Sequence, residues 1–345
     1  IPLGLIPSHR LFTGSQQLPS STSSIALPAA VPTWVTPTAR KHLHNLLHFV
    51  SDALAIALQP TTVSAPTSWQ QKISSNGDRY NPFRELGPSR ARVGTALATN
   101  SDSAAGLFST LIFRGILFNT EFLLQDPLCI RDYRSLSAFD ANIAAAKDAY
   151  MQANNSTPKP AYFCSMVAYG QPAKDRKIEH AAAYAKLCHF PGIGDLAGYL
   201  LAADYTYASP QRVQAPTAAE LGKIIASLNA GAASGLELLG LIPPRKRTWK
   251  LKLVTRNGTK WRIPTIHIAK PSAEDCAAAI PVIYEVLKAH ISPALHAQIR
   301  LDYVMVEHLL CKVSRAWKED IAEEYFEFDL FSAPGPKPQA YAVDS

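Results

Sequence analysis

The sequence predicts a mainly α-helical domain that contains one β-hairpin. Apolar residues recur at helical spacing in three long segments, 39–58, 273–290 and 301–319. Residues 103–124 are almost wholly apolar and have the length of a buried helix. Only residues 249–268 alternate with a period of two, on either side of an Asn257-Gly258 turn, which is typical of a β-hairpin. We therefore expect a helical domain with an inserted hairpin.

The chain is predicted to form one domain with a polar extension at each end. Residues 1–38 are rich in Pro, Ser and Thr and show no sustained period, so we expect a disordered arm. Residues 39–330 form the helical domain, and the Pro-rich residues 331–345 form a disordered tail. Thr38 is the expected cap of the first helix, and residues 60–75 are expected to be a polar loop.

Further helices are expected after this loop. They are predicted at 139–153, 178–187 and 217–228. Thr217 and Glu220 form a capping box at the start of the last of these. Gly231 to Gly235 is expected to be a small-residue turn that approaches a ligand or another helix closely.

The composition favours a polyanionic partner. The 345 residues include 34 Lys and Arg against 27 Asp and Glu, with an isoelectric point of about 9.1. The five cysteines contain no CxxC pair, which favours reduced thiols over a disulfide frame or a zinc site. No apolar run reaches the roughly 18 residues of a membrane span, so no membrane association is expected. Neither metal-ligand spacing nor a phosphate-binding loop is present, and no cofactor or metal is predicted.

A glycine turn precedes one of the predicted helices. Residues 190–194 read Phe-Pro-Gly-Ile-Gly, and the apolar positions that follow at helical spacing are Leu196, Tyr199, Leu200 and Ala203. This pattern is the signature of a helix-hairpin-helix motif, whose backbone N–H groups lie at a helix N-terminus and favour an anion. We expect Gly192 and Gly194 to bind a DNA phosphate. A connector without a ligand is the alternative.

Two further segments carry candidate binding residues. Residues 76–100 contain Arg79, Arg84, Arg90 and Arg92, which fit either a solvated surface or a phosphate-facing edge. The apolar segment 103–124 contains Arg114, Asn119 and Glu121. Buried polar groups of this kind are either paired with each other or functional.

Three basic features allow more than one interpretation. Lys250 and Lys252 lie on one face of the hairpin, which either contacts nucleic acid or covers the helical core. Pro244-Arg245-Lys246-Arg247 resembles a nuclear-import patch, so a nuclear location is expected, or a cytoplasmic one in a prokaryote or virus. The histidines of the first helix are expected on a solvated face, not at a metal: His42, His44 and His48.

Four blocks, in order, resemble one family. The first is Arg79-Tyr80-Asn81 with Phe83-Arg84-Glu85-Leu86 and Arg90. The second is Phe113-Arg114 with Leu117-Phe118-Asn119-Thr120-Glu121. The third is the glycine turn with Asp204, and the fourth is Val306-Glu307-His308-Leu309-Leu310-Cys311-Lys312. Together they are similar to the helical domain of the alpha-glutamyl/putrescinyl thymine pyrophosphorylase and 5-hydroxymethyl-deoxyuridine DNA kinase group. That group is a branch of the helix-hairpin-helix DNA-glycosylase fold.

The chain departs from that family at three places, one of which is the inserted β-hairpin at 249–268. Leu86-Gly87-Pro88 stands where the family has Leu-Asp-Arg, and Lys312 stands where it has an acid. The resemblance implies a helix-hairpin-helix glycosylase-like domain that binds duplex DNA and acts on a modified, thymine-type base.

The resemblance and the residue chemistry together define a candidate site. An enzyme that acts on a base in duplex DNA flips it into a pocket. The expected catalytic residues are Asp204, Glu307, His308 and Glu121. The expected base- or substrate-binding residues are Asn119, Arg114, Arg84 and Asn81. The expected DNA phosphate-binding residues are Gly192, Gly194, Arg79 and Arg90.

Three functions fit this site. The first is an enzyme that modifies a base or transfers a group to it. The second is a glycosylase, although Gln214 lies near the position where such enzymes carry their Asp, and Asp195-Leu196 stands where bifunctional ones carry a Lys. The third is a non-catalytic DNA-binding module. The number of ionisable residues expected inside the domain favours catalysis over binding alone.

Overall fold

The computed structural model describes residues 27–28, 31–58, 65–88, 90, 194–207, 213–257, 259–319, 325 and 336–343. The predicted helices at 103–124, 139–153 and 178–187 lie outside the described residues. So do Arg114, Asn119, Glu121, Gly192 and Arg92, together with most of the N-terminal arm. The described part is mostly helical and contains one small antiparallel sheet, as the sequence predicts.

The described helices are numbered in chain order. They are α1 (Pro37–Leu58), α2 (Ser68–Ser75), α3 (Gly77–Tyr80), α4 (Asp195–Thr206), α5 (Ala218–Leu228), α6 (Gly231–Leu238), α7 (Ala273–His290), α8 (Pro293–Ile299) and α9 (Tyr303–Lys318). A 3₁₀ turn at Arg84–Leu86 follows α3. The long helices α1, α7 and α9 and the predicted helix α5 are confirmed. No described helix is long and apolar enough to cross a membrane.

One hydrophobic core joins these helices. It contains apolar residues of α1, α2, α4, α5, α6, α7 and α9. Its largest fully buried side chains include Trp69, Tyr199, Phe49 and Phe83. Phe49 of α1 stacks on Trp69 of α2 with ring centroids 4.2 Å apart. The aromatic contact fixes α2 against α1.

The structure corrects the predicted start of the domain. The N-cap of α1 is Thr36, not Thr38, because Thr36 Oγ1 accepts a hydrogen bond from the Ala39 N–H at 3.1 Å. Val31 and Val35, assigned to the disordered arm, are buried in the core. The Arg40 guanidinium donates to the carbonyls of Val31 and Pro32. The ordered domain therefore begins before residue 39.

Two other local predictions are wrong. Residues 68–75, expected in a polar loop, form α2, which starts at a capping box of Thr67 and Gln70. Gly231–Gly235, expected as a turn, opens helix α6. The predicted close approach to another helix does occur there. A Cβ on Gly235 would lie 2.5 Å from the Leu310 carbonyl oxygen of α9.

The β-hairpin is confirmed. Strands β1 (Arg247–Arg256) and β2 (Thr259–Ile268) pair antiparallel, and Asn257 after the end of β1 is in a turn with a φ of 49°. A third strand, β3 (Tyr341–Ala342), pairs with β2. This pairing corrects the prediction of a disordered tail at these two residues. The apolar face of the hairpin does not cover the core, since Leu253 and Ile266 are 52 % and 50 % exposed.

The basic run at the base of the hairpin is buried only in part, since Lys246 is exposed. Arg245 is 6 % exposed, and its guanidinium binds Glu237 of α6. Arg247 binds the same carboxylate at 3.0 Å. In the folded protein, two of the three basic side chains of the predicted import patch are therefore engaged with Glu237.

The histidines of α1 do not all face solvent. His42 is 6 % exposed, which corrects the prediction for this residue. The rings of His44 and His48 meet edge to face at 4.8 Å and are partly buried.

Candidate buried ionic site

Two segments far apart in the chain meet at a buried cluster of charges. The cluster consists of Arg84 and Glu85 in the 3₁₀ turn, Arg90, and Asp204 in the last turn of α4. Both arginines donate to Asp204 Oδ1, Arg84 through Nη2 and Arg90 through Nη1 at 3.2 Å. Arg90 Nε also donates to Glu85 at 3.0 Å. We call these four residues the ionic cluster.

The ionic cluster is closed to solvent. The side chains of Arg84, Arg90 and Asp204 are 5 %, 5 % and 3 % exposed. Burial by itself disfavours the charge on Arg84, but the Asp204 and Glu85 carboxylates outweigh that effect and raise its pKa. Arg84 Nη1 is buried and, among the described residues, has no hydrogen-bond acceptor. Glu85 Oε1 lies 3.7 Å from this nitrogen, which is an ion-pair distance but longer than a hydrogen bond.

Tyr207 connects the cluster to α9. The Arg84 guanidinium lies over the Tyr207 ring, 5.2 Å from its centroid, and Arg300 lies 4.9 Å from the same centroid. The Tyr207 hydroxyl donates to Asp302 at 2.8 Å, and Asp302 caps the start of α9. The end of α4 and the start of α9 are thus held together by one side chain.

Glu307 of α9 provides a second buried carboxyl group. It is 5 % exposed and accepts hydrogen bonds from the Tyr199 hydroxyl at 3.1 Å and the Cys311 thiol at 3.2 Å. Burial raises the pKa of Glu307, although these two hydrogen bonds and the charge of Arg84 oppose the rise. A carboxyl group with a raised pKa holds or releases a proton nearer to neutral pH.

The remaining polar residues of α9 bind the segment before the ionic cluster. Lys312 is 5 % exposed, and its Nζ donates to the carbonyls of Asp78 and Arg79 at 2.8 Å each. Burial lowers the pKa of Lys312 to about 7, and the nearby charge of Arg315 adds to the effect. Lys312 therefore acts here as an anchor between α9 and α3.

His308 and Asn81 meet next to that anchor. His308 Nε2 lies 3.3 Å from the Asn81 carbonyl oxygen and donates to it. The Asn81 side chain is buried and accepts a hydrogen bond from the Phe83 N–H at 2.9 Å. The Asn81 amide stabilises a local turn. A base-binding role would require that side chain to change partners.

The expected phosphate-binding residues differ in their surroundings. Arg79 has a side chain 49 % exposed that binds Glu319 at 2.7 Å. Gly194 is exposed at the N-terminus of α4, and a Cβ there would meet nothing within 4 Å. Arg90 lies inside the ionic cluster, so phosphate contact by Arg90 would require its bonds to Glu85 and Asp204 to open.

The N-terminus of α4 is exposed to solvent, but an acidic residue already lies there. Asp195 stands in the first turn, where its charge matches the helix dipole. Leu196 is 51 % exposed, contrary to its predicted place on the apolar face, whereas Tyr199 and Ala203 are buried as expected. A phosphate at this terminus would lie near the Asp195 carboxylate.

Three of the four sequence blocks therefore contact one another. Block one contributes Arg84 and Arg90, block three contributes Asp204, and block four contributes Glu307 and Lys312. The site also includes partners for which the sequence pattern predicted no catalytic or binding role, which are Glu85, Tyr199, Tyr207, Arg300 and Asp302. Tyr199 stood on the predicted apolar face of α4, and its hydroxyl was the signal that this face carries a polar partner.

The chemistry open to this arrangement is proton transfer and charge stabilisation. A buried carboxyl at Glu307 and a buried guanidinium at Arg84 are suited to a polar, partly anionic substrate. No group of three or more His, Cys, Asp or Glu side chains that would hold a metal occurs in the part of the chain that the structure describes.

Comparison with known proteins gives no match. No family model, no curated protein and no solved structure matches this chain. The class of site rests on its own geometry: a buried, charge-paired cluster that joins the end of α4 to the turn after α3, with Tyr207 connecting it to the start of α9.

Proposed function

We propose that this protein binds DNA and acts on a modified pyrimidine base of the thymine or 5-hydroxymethyl type. The base is flipped out of the duplex to reach residues beside the ionic cluster. One observation carries the proposal. The described parts of three of the four family-like blocks, within residues 77–88 and 90, 194–207 and 303–318, contribute buried ionisable groups to one place. Groups of this kind, kept inside a domain, are concentrated at functional sites.

Each residue receives a role from its contacts. Glu307 transfers a proton to or from the substrate, since it is buried and its pKa is raised. Arg84 binds a carbonyl or phosphate oxygen of the substrate through Nη1, which has no hydrogen-bond acceptor among the described residues. Asp204 holds Arg84 in position and balances its charge. In this proposal Asp204 is a positioning residue and Glu307 is the base, since Asp204 Oδ1 already accepts hydrogen bonds from both arginines. Asn119, Glu121 and Arg114 remain proposed pocket residues.

Three matched duplexes test the proposal. They carry thymine, 5-hydroxymethyluracil or a 5-methylcytosine derivative at one central position. Binding is measured by fluorescence anisotropy, and the nucleotides are analysed by mass spectrometry after incubation. Nucleotide and amine co-substrates are each supplied and omitted. A mass change of the target nucleotide with its glycosidic bond intact supports base modification. Release of the free base identifies a glycosylase instead.

Glu307→Gln is the informative variant, and Glu285→Gln is its matched control because Glu285 is half exposed on α7. We expect the Glu307 variant to lose turnover while duplex binding persists. Full turnover by that variant would remove Glu307 from the chemistry. No binding preference for any duplex over an acidic polymer would refute the function as a whole.

Salt provides an independent test of the DNA contact. Binding that depends on phosphate contacts weakens with salt because counterions are released, with a slope of about −0.9 per phosphate neutralised. We expect a steep decrease in affinity between low and physiological salt. A flat response would contradict a phosphate-binding role for the Gly194 terminus and Arg79.

A non-catalytic DNA-binding module is the second candidate, and one observation favours it. Asp204 is already paired with two buried arginines, and structural ion pairs of this kind also occur without catalysis. Sequence-selective duplex binding without any nucleotide product, under every co-substrate condition, would identify this function.

A further inference from the structure

The excess positive charge of the chain is concentrated in one segment. Residues 238–273 contain nine Lys and Arg and no Asp or Glu. The rest of the chain contains 25 Lys and Arg against 27 Asp and Glu. The hairpin therefore lies in the segment that accounts for the whole positive net charge.

Most of these basic side chains are exposed to solvent. Arg245 and Arg247 bind Glu237 at the base of the hairpin. Farther along the strands, Lys250, Lys252, Lys260 and Arg262 are exposed. The strand register separates these cations. Lys250 and Lys252 share one face with Trp261, whereas Lys260 and Arg262 share the other face with Tyr341.

The face of Lys250 and Lys252 combines cations with an open aromatic ring. Val254 pairs with Trp261 and Lys252 pairs with Ile263, so Trp261 is the diagonal neighbour of Lys252. Residues in this relation lie about 7 Å apart. Trp261 is 36 % exposed, so part of its ring is accessible from solvent. One nucleotide can place its base on such a ring and a phosphate at the neighbouring ammonium.

The charges on this face of the hairpin indicate which kind of molecule binds there. A second copy of this chain would bring lysines against lysines on this face and be repelled. The helical core leaves the face open. A duplex would use the cations but hide its bases from the ring. An unpaired strand uses both, since bases stack on aromatic side chains while cations follow the phosphates.

We infer that the hairpin face formed by Lys250, Lys252 and Trp261 binds a single-stranded nucleic-acid segment. This surface is separate from the ionic cluster, and its occupancy does not depend on the base chemistry proposed above. If the protein opens a DNA duplex, this hairpin face holds the unpaired strand outside the reaction site.

The test compares three labelled 20-mers by fluorescence anisotropy with the full chain: a mixed-sequence single strand, its duplex and an abasic strand of equal charge. We expect the single strand to bind most tightly. Trp261→Ala weakens single-strand binding about tenfold and abasic-strand binding much less, because the loss is one of stacking. Lys250→Gln with Lys252→Gln reduces the salt slope by about 1.4, since each phosphate contact on a single strand contributes about 0.7.

Matched variants serve as controls. Trp34→Ala removes a tryptophan that is 48 % exposed elsewhere, and Lys223→Gln with Lys288→Gln removes two exposed lysines of α5 and α7. Leu253→Asn changes the opposite face of the hairpin. None of these should alter single-strand affinity more than about twofold. Circular dichroism confirms that each variant is folded.

Two outcomes would overturn the inference. Equal affinity for the abasic and the normal strand would show that no base stacks on Trp261. Single-strand affinity unchanged in the lysine variant would place the contact elsewhere. Glu307→Gln should leave single-strand binding intact, so failure of this inference and failure of the proposed function are separable.

Discussion

The Arg84 guanidinium donates a hydrogen bond to the Asp204 carboxylate, 120 residues farther along the chain. Both side chains are almost fully buried. Removing either charge leaves the other inside the protein without its partner, which costs more than the pair contributes. The pair therefore determines how the turn after α3 and the end of α4 are joined.

Asp204→Asn is expected to lower the free energy of unfolding by about 3 kcal/mol, because Arg84 and Arg90 lose a buried counter-charge. Urea unfolding followed by circular dichroism measures the change. Asp195→Asn, at the exposed start of the same helix, is the control and should cost less than about 1 kcal/mol through the helix dipole. Equal effects of the two changes would contradict a structural role for the buried pair.

Lys312 is expected to make stability increase with pH above neutral. Its pKa is about 7 in the folded protein and 10.5 as an ordinary value. Between these values the unfolded chain binds more protons, so the free energy of unfolding increases with pH. Lys312→Gln should reduce that slope between pH 7 and 8.5, measured by urea unfolding at several pH values. Lys288→Gln, at an exposed site, should retain it. A wild-type slope of zero or below in that window, unchanged in Lys312→Gln, would contradict the lowered pKa.

Glu237→Gln is expected to destabilise the base of the hairpin. Glu237 is 2 % exposed and binds both Arg245 and Arg247, so the variant leaves Arg245 buried without its counter-charge and costs about 3 kcal/mol at pH 7.

The effect of Glu237→Gln should shrink in acid. Burial favours the neutral form of Glu237, but the hydrogen bonds from Arg247 and Arg245 outweigh it and lower the pKa below 4.5. The stabilisation by the carboxylate is complete above pH 4.5 and disappears as pH falls through the folded pKa. Thermal unfolding at pH 7 and at pH 3.5 compares the variant with Glu285→Gln. A constant difference across this range would contradict the assignment.

Gly235→Ala is expected to destabilise the α6–α9 contact by about 1–3 kcal/mol, because the new Cβ would lie 2.5 Å from the Leu310 carbonyl oxygen. Gly194→Ala is the matched control, since its Cβ meets nothing within 4 Å and its φ is −81°. Thermal unfolding should separate the two variants. If Gly235→Ala unfolds at the wild-type temperature, the helices are not in close contact there.

Local sequence patterns correctly predicted the elements that short-range turn and capping residues specify. The Asn257-Gly258 turn between alternating residues predicted the hairpin, and the Thr217 and Glu220 capping box predicted the start of α5. The short helix α2 was missed because Ser68 to Ser75 is polar apart from Trp69 and Ile73. Trp69 of this helix stacks on Phe49 of α1, and a contact between helices is not visible in a local pattern.

Partner choice among charged residues was not predictable in the same way. Arg84 and Arg90 were expected to face a substrate or a phosphate, and Arg245 was expected in an exposed import patch. In the structure all three guanidinium groups bind carboxylates inside the protein. A sequence shows that a charge is present, but its energy depends on burial and on the distance to a counter-charge.

By itself, the sequence determined the helical class, the hairpin and the blocks that supply the charged residues, because these follow from periodicity and turn chemistry within a few residues. Only the tertiary structure decided that Asp204 faces Arg84, that Lys312 binds the Asp78 and Arg79 carbonyls, and that the hairpin face stays open. Those outcomes depend on which distant segments pack together, and packing removes some charges from water while leaving others in it.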